Sequence, residues 1–196
     1  SLMRAWIEMV PPDAADGKLA KLYEKARTPA GTVDNVMQAH SLRPHTLDGH
    51  VALYRAVLHH PDNTLPDWFL EAVGSYTSIL NGCDYSLTHH WHNARALLGG
   101  GEAGDAALAA LDNREPEQAF EGKYLALLQY VEKLTLSPAS ITRDDVDGLR
   151  ASGASDGEIL ETNQVCGYFN YVNRHLNGLG VSTEGDKIGY YDEPGS

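Results

Sequence analysis

The sequence predicts an all-α fold of antiparallel helices. Three observations carry that prediction. Apolar residues recur at helical spacing along most of the chain, no alternating run is long enough for a useful strand, and helix starts and stops punctuate the segments at short intervals. A first helix is read at residues 14–27, broken by Thr28-Pro29-Ala30-Gly31. A short helix follows at 35–40 and a longer one at 44–60, closed by the turn Pro61-Asp62-Asn63. The next pair is read at 66–80 and 83–98, the latter stopped by Gly99-Gly100-Gly101. A small helix is expected at 103–111. The one at 117–136 carries Tyr124, Leu127, Leu128, Val131 and Leu134 on one face. Thr142-x-x-Asp145 and Ser155-x-x-Glu158 have the form of capping boxes. The second opens a last helix over 156–179, with Val165, Tyr168, Phe169, Val172, Leu176 and Leu179 at helical spacing. Residues 1–182 read as one helical domain, and 183–196 as a mobile or partner-draped tail.

The 196 residues are 42% hydrophobic, which suits one domain with a substantial core. A formal charge of −12 makes nucleic acid and anionic membranes poor partners. No apolar run approaches the ~20 residues of a membrane span. Ser1-Leu2 reads as a cloning scar ahead of Met3, with no secretory signal following. Two cysteines cannot make a disulfide framework, so the expected compartment is the cytoplasm.

The chemistry concentrates between Glu71 and His92. Asn81-Gly82 is a helix stop, so Cys83 is expected to open a new helix, where free N–H groups and the macrodipole favour a thiolate. On that helix Cys83, Ser86 and His90 are expected on one stripe. If the flanking helices form a hairpin, Glu71 lies roughly 15 Å before the break and His90 roughly 10 Å beyond Cys83, at ~1.5 Å per residue. A Glu71–His90 hydrogen bond is therefore expected, giving a carboxylate that orients an imidazole facing a thiol. The plain alternatives stand beside this reading. Cys83 could be a small buried hydrophobe, Glu71 a solvated charge, and Ser86 either a donor to the thiolate or a serine bonding local backbone. His89 points about 100° from His90 and reads as a surface or interface residue. Tyr85 reads as packing, with its hydroxyl bordering the pocket as the alternative. His89, His90 and His92 share no face, and with His59-His60 they make a poor metal set, so no metal or organic cofactor is expected. Cys166 reads as core.

This segment resembles the Glu-x11-Cys-x-x-Cys-x3-His motif of the AhpD-like alkylhydroperoxidases, in the carboxymuconolactone decarboxylase-like superfamily. Glu71, Cys83 and His90 stand at the motif's Glu, first Cys and His. Asn81-Gly82-Cys83 with His89-His90 is most similar to the peroxidase-related branch. The likeness extends to Lys21-Leu22-Tyr23-Glu24, Asn35-Val36, Leu53-Tyr54-Arg55-Ala56-Val57, Glu132-Lys133-Leu134-Thr135, Phe169-Asn170-Tyr171-Val172-Asn173-Arg174 and Leu179-Gly180-Val181, over about residues 5–182. It implies an AhpD-like antiparallel helical bundle that forms dimers, trimers or hexamers. The departure is Ser86, which replaces the motif's second cysteine, the one usually taken to attack peroxide. Tyr85 likewise stands where the best-known branch often has His.

Three functions follow. The first is a thiol-dependent peroxidase with Cys83 as single nucleophile, His90 moving the proton, Glu71 orienting it and Ser86 steadying the sulfur. It would act on a small peroxide and be recharged by an external thiol. The second is a non-redox lyase or decarboxylase on a small organic acid, run by Glu71 and His90, with Arg55 or Arg95 as carboxylate anchor. The third is a helical oligomer without catalysis.

Overall fold

The computed structural model describes residues 4–191. Among them are nine α-helices and no strand: α1 (Gly17–Ala26), α2 (Asn35–Gln38), α3 (Pro44–Leu58), α4 (Asp67–Leu80), α5 (Asp84–Leu97), α6 (Gly101–Asp112), α7 (Gly122–Leu136), α8 (Arg143–Ala151) and α9 (Asp156–Leu179). The fold is all-α, as the helical spacing predicts. Both capping boxes form: Thr142 and Ser155 each accept from the N3 amide while Asp145 and Glu158 reach back to the N-cap amide. Two expected starts move inward. Pro12–Ala14 and Pro116–Gln118 make separate 3-10 turns, so α1 and α7 begin at Gly17 and Gly122. Each turn is ended by an alanine outside helical backbone, Ala15 at φ −78 and ψ 140 and Ala119 at φ −134 and ψ −11.

Helix α4 is the axis of the molecule. Phe69, Leu70, Ala72, Val73 and Tyr76 are wholly buried, and so are the hydroxyls of Ser75, Thr77 and Ser78. Those hydroxyls donate to the carbonyls of Glu71, Val73 and Gly74 one turn back, which lets small polar residues lie inside without unpaired groups. After the left-handed Gly82 the chain returns as α5, antiparallel to α4. The long α9 packs across α4, α7, α3 and α5. Gly74 permits its close approach, since a Cβ there would stand 2.4 Å from the Phe169 ring.

The core has two parts. The larger surrounds α4; the smaller joins α1, α2 and α3 through Leu19, Leu22, Tyr23, Met37, Leu47 and Val51. Beyond α9 the chain bends at left-handed Gly180, and Ser182 and Glu184 give their carbonyls to the Asn35 side chain. The segment 183–191 then runs back over its own domain, a surface the sequence does not assign to it. Residues 192–196 of the expected tail lie outside the described residues.

Candidate active site

A cavity of about 310 Å³ opens between the two core clusters. α2 and α3 supply one wall, with Val36, Met37, Val51 and Tyr54. α5 and α9 supply the other, with Tyr85, Ser86, His89, His90, Asn93, Tyr168 and Val172. Gly189 and Tyr190 of the returning segment close it.

The expected Glu71–His90 contact is present. His90 Nδ1 lies 2.7 Å from Glu71 Oε2, and the carboxylate is 2% exposed. An imidazole that donates from Nδ1 to a carboxylate keeps its lone pair on Nε2, and His90 faces the cavity. Glu71 Oε1 accepts from Asn93 Nδ2 at 3.3 Å, so both carboxylate oxygens are engaged. The Phe169 ring meets His90 edge-on at 4.6 Å and fixes its plane from the core side.

Ser86 also lines the cavity, one helical turn before His90. Its hydroxyl shares a 2.9 Å hydrogen bond with Ser78 Oγ across the hairpin. Cys83 does not join them. The single stripe expected for Cys83, Ser86 and His90 requires all three to be helical, but Cys83 is the N-cap of α5, with extended φ −104 and ψ 93. Its side chain turns into the α4 core, 1% exposed and off the cavity lining. Burial pushes its thiol pKa up, opposed by the Ser86 amide and the Asn173 side chain. Cys166 is a second free, buried thiol beside Thr135.

His89 is a correction to the sequence reading. It is buried at 6% exposure and lines the cavity. The returning segment makes the difference. Asp186 Oδ2 lies 3.2 Å from His89 Nε2, and the Gly189 amide donates to His89 Nδ1 at 3.1 Å. A ring accepting at Nδ1 carries its proton on Nε2, so here His89 is a neutral donor to Asp186. Asp186 also accepts from the Tyr85 hydroxyl and the Asn35 amide. Asn93 Oδ1 accepts from the Tyr190 and Tyr191 amides, His92 bonds the Tyr191 carbonyl, and Tyr190 stacks on His59. Asn93 therefore ties the Glu71–His90 pair to the returning segment 183–191.

Sequence reasoning missed Asp34, Asn93 and Asp186. Asn93 was within reach, because it follows His90 by three positions on one helix face. Asp34 and Asp186 carry no local signal. Asp34, His89 and Asp186 offer ligand atoms within 4.8 Å of one another, a set able to hold a metal ion. For His89 to ligate through Nε2, however, it would have to give up the Gly189 bond, since a neutral ring has one lone pair. Of the expected carboxylate anchors, Arg55 reaches the cavity rim but donates to the Lys25 carbonyl, and Arg95 sits off the lining beside Asp105. No helix of the described residues is long and apolar enough to cross a membrane.

No family model and no curated protein matches the chain. Solved structures do. It is similar to the alkylhydroperoxidase AhpD core of an uncharacterized peroxidase-related protein from Ralstonia eutropha JMP134, at 18% identity over 93% of this chain and 94% of that one, with a TM-score of 0.81. It is similar to an uncharacterized peroxidase-related protein from Silicibacter sp. TM1040, at 22% identity over 98% and 94%, with a TM-score of 0.76. It is also similar to a cysteine-to-alanine variant of the debrominase Bmp8 in complex with 2,3,4-tribromopyrrole, at 16% identity over 92% and 94%, with a TM-score of 0.69. These likenesses show the fold: the chain is built as an AhpD-like helical domain.

Proposed function

We propose that the cavity is the active site of an enzyme that performs acid–base chemistry on a small organic molecule without using a thiol. One observation carries this reading: His90, held from behind by the buried Glu71, lies on the wall of a cavity whose lining lacks Cys83. His90 Nε2 removes a proton from the substrate, Glu71 holds the ring in the tautomer that can do so, and Ser86 offers a hydroxyl one turn away. The debrominase variant, which holds a small ring compound in a similar fold, is in keeping with a ring-sized substrate.

The single-cysteine peroxidase is the second reading. Cys83 sits at the head of α5, where amide dipoles favour a thiolate, but burial raises its pKa. A peroxide would have to reach the core to convert that thiolate to a sulfenic acid, releasing an alcohol or water.

Deuterium exchange separates the two. Small carbonyl compounds, organic acids and amines that bear an acidic C–H are incubated with the protein in D2O, and loss of those C–H signals is followed by NMR. The expected result is exchange that survives Cys83→Ala and falls roughly 10²–10⁴-fold in His90→Gln. Alkyl hydroperoxide with a sulfenic-acid trap is run in parallel. A fast, stoichiometric adduct at Cys83, with no exchange for any compound, would overturn the thiol-free reading.

A further inference from the structure

The carboxyl of Asp34 stands apart from every other acid at the cavity. It is the N-cap of α2, a position where aspartate ordinarily accepts from the first amides of its helix. Here it does not. The Asn35 amide goes to Asp186 Oδ1 and the Val36 amide to the Tyr85 hydroxyl. Relieved of capping, Asp34 lines the cavity with its Oδ1 shielded from solvent and without a hydrogen-bond partner. Asp186, by contrast, is satisfied by three donors.

A shielded carboxylate oxygen without a donor is costly. The guanidinium groups on the same lining do not relieve it, because Arg27 bonds Glu24 and the Gly31 carbonyl, and Arg55 bonds the Lys25 carbonyl. Four tyrosines, Tyr54, Tyr85, Tyr168 and Tyr190, contribute to the same wall. A carboxylate on a cavity wall that carries aromatic rings is the environment that receives an organic cation, through one charge-assisted hydrogen bond and ring faces of negative potential. Burial pushes the pKa of Asp34 up to about 6, and the neighbouring Asp186 carboxylate adds to the rise.

We propose that the cavity binds a small organic cation, an amine in its ammonium form, with Asp34 as its anchor. This inference rests on the cavity being the substrate site and adds the substrate's charge class. It reverses the sign of the ligand expected from Arg55, since a carboxylate ligand would face Asp34 on the lining, with the Asp186 carboxylate behind Tyr85 and His89.

Binding of three probes of one shape tests it: benzylammonium, benzyl alcohol and benzoate, titrated into the full chain at neutral pH and followed by NMR. The expected ranking is benzylammonium tighter than benzyl alcohol by roughly tenfold or more, with benzoate weakest. Asp34→Asn should bring ammonium and alcohol to near parity while leaving the alcohol's affinity in place. Benzoate binding as tightly as benzylammonium would overturn the proposal, as would an ammonium preference that survives Asp34→Asn. If that variant fails to fold, the ranking in the intact chain decides alone. Manganese chloride is the remaining arm. Mn²⁺ binding without any ammonium preference would assign the acidic group to a metal and overturn the organic cation. His90→Gln keeps the two proposals apart: it should abolish proton exchange and preserve the ammonium ranking. Loss of the ranking with exchange intact would sink only the charge class.

Discussion

Burial raises the Asp34 carboxyl from an ordinary 3.8 to about 6, and the sign of its effect on stability follows. The folded chain holds this proton more tightly than the unfolded chain does. Between those two values the native state therefore binds more protons, and stability falls as pH rises through the window. Asparagine cannot ionise. Asp34→Asn should thus gain stability relative to the parent above pH 6 and lose that advantage below about 4. Thermal melts of both proteins across that range check it, and a difference that does not change with pH would refute it. At Cys83 the instructive quantity is a backbone angle. One extended residue at the N-cap carries the thiol off the stripe that Ser86 and His90 keep, and a spacing rule for helices cannot see that.

At the scale of elements, the α4–α5 hairpin and the C-terminal strap divide the site between them. The hairpin builds the Glu71–His90 pair from neighbours in sequence. The strap, residues 183–191, brings Asp186, Gly189 and Tyr190 from the far end of the chain. Gly189 is the strap's weakest point for substitution. Its φ is +86, and a Cβ would stand 2.1 Å from the His92 ring. Gly189→Ala should therefore loosen the strap by roughly 1–2 kcal/mol, the cost of a left-handed L-residue. Lys187 is exposed within the strap and reports on it. Tryptic cleavage after Lys187 should speed up several-fold in Gly189→Ala while the helical signal in circular dichroism stays unchanged. An unaltered cleavage rate would mean the strap is held elsewhere.

Across the whole molecule, buried histidines set the acid limit. His40, His50 and His175 pack ring against ring between α2, α3 and α9, and His50 Nδ1 and His175 Nε2 are buried without partners. Burial lowers all three, His40 to about 4 and His50 well below its ordinary value. A depressed imidazole stabilises the fold above its unfolded value near 6.5 and loses that contribution as pH falls toward the folded value. Stability should drop between about pH 6.5 and 4, three histidines outweighing the opposite trend of Asp34. Urea midpoints measured across that interval test this, and a flat profile would show that the cluster accepts protons without cost.

How much of this was legible depends on how local each cause is. The all-α class, both capping boxes, the bounds of α9 and the meeting of Glu71 with His90 follow from short-range rules. Helical period, cap chemistry and one glycine turn act within a few residues of where they are written. Three things were decided only in three dimensions: the exclusion of Cys83, the burial of His89 and the freeing of Asp34. Asp186 lies 151 positions from the Asn35 amide that it caps. No local pattern encodes such a pairing, because it depends on where α9 ends and on which way the chain then turns. The sequence by itself determined the helices and the dyad. Tertiary structure determined which side chains share water-excluded space with that dyad, since burial and charge neighbours belong to the packed chain as a whole.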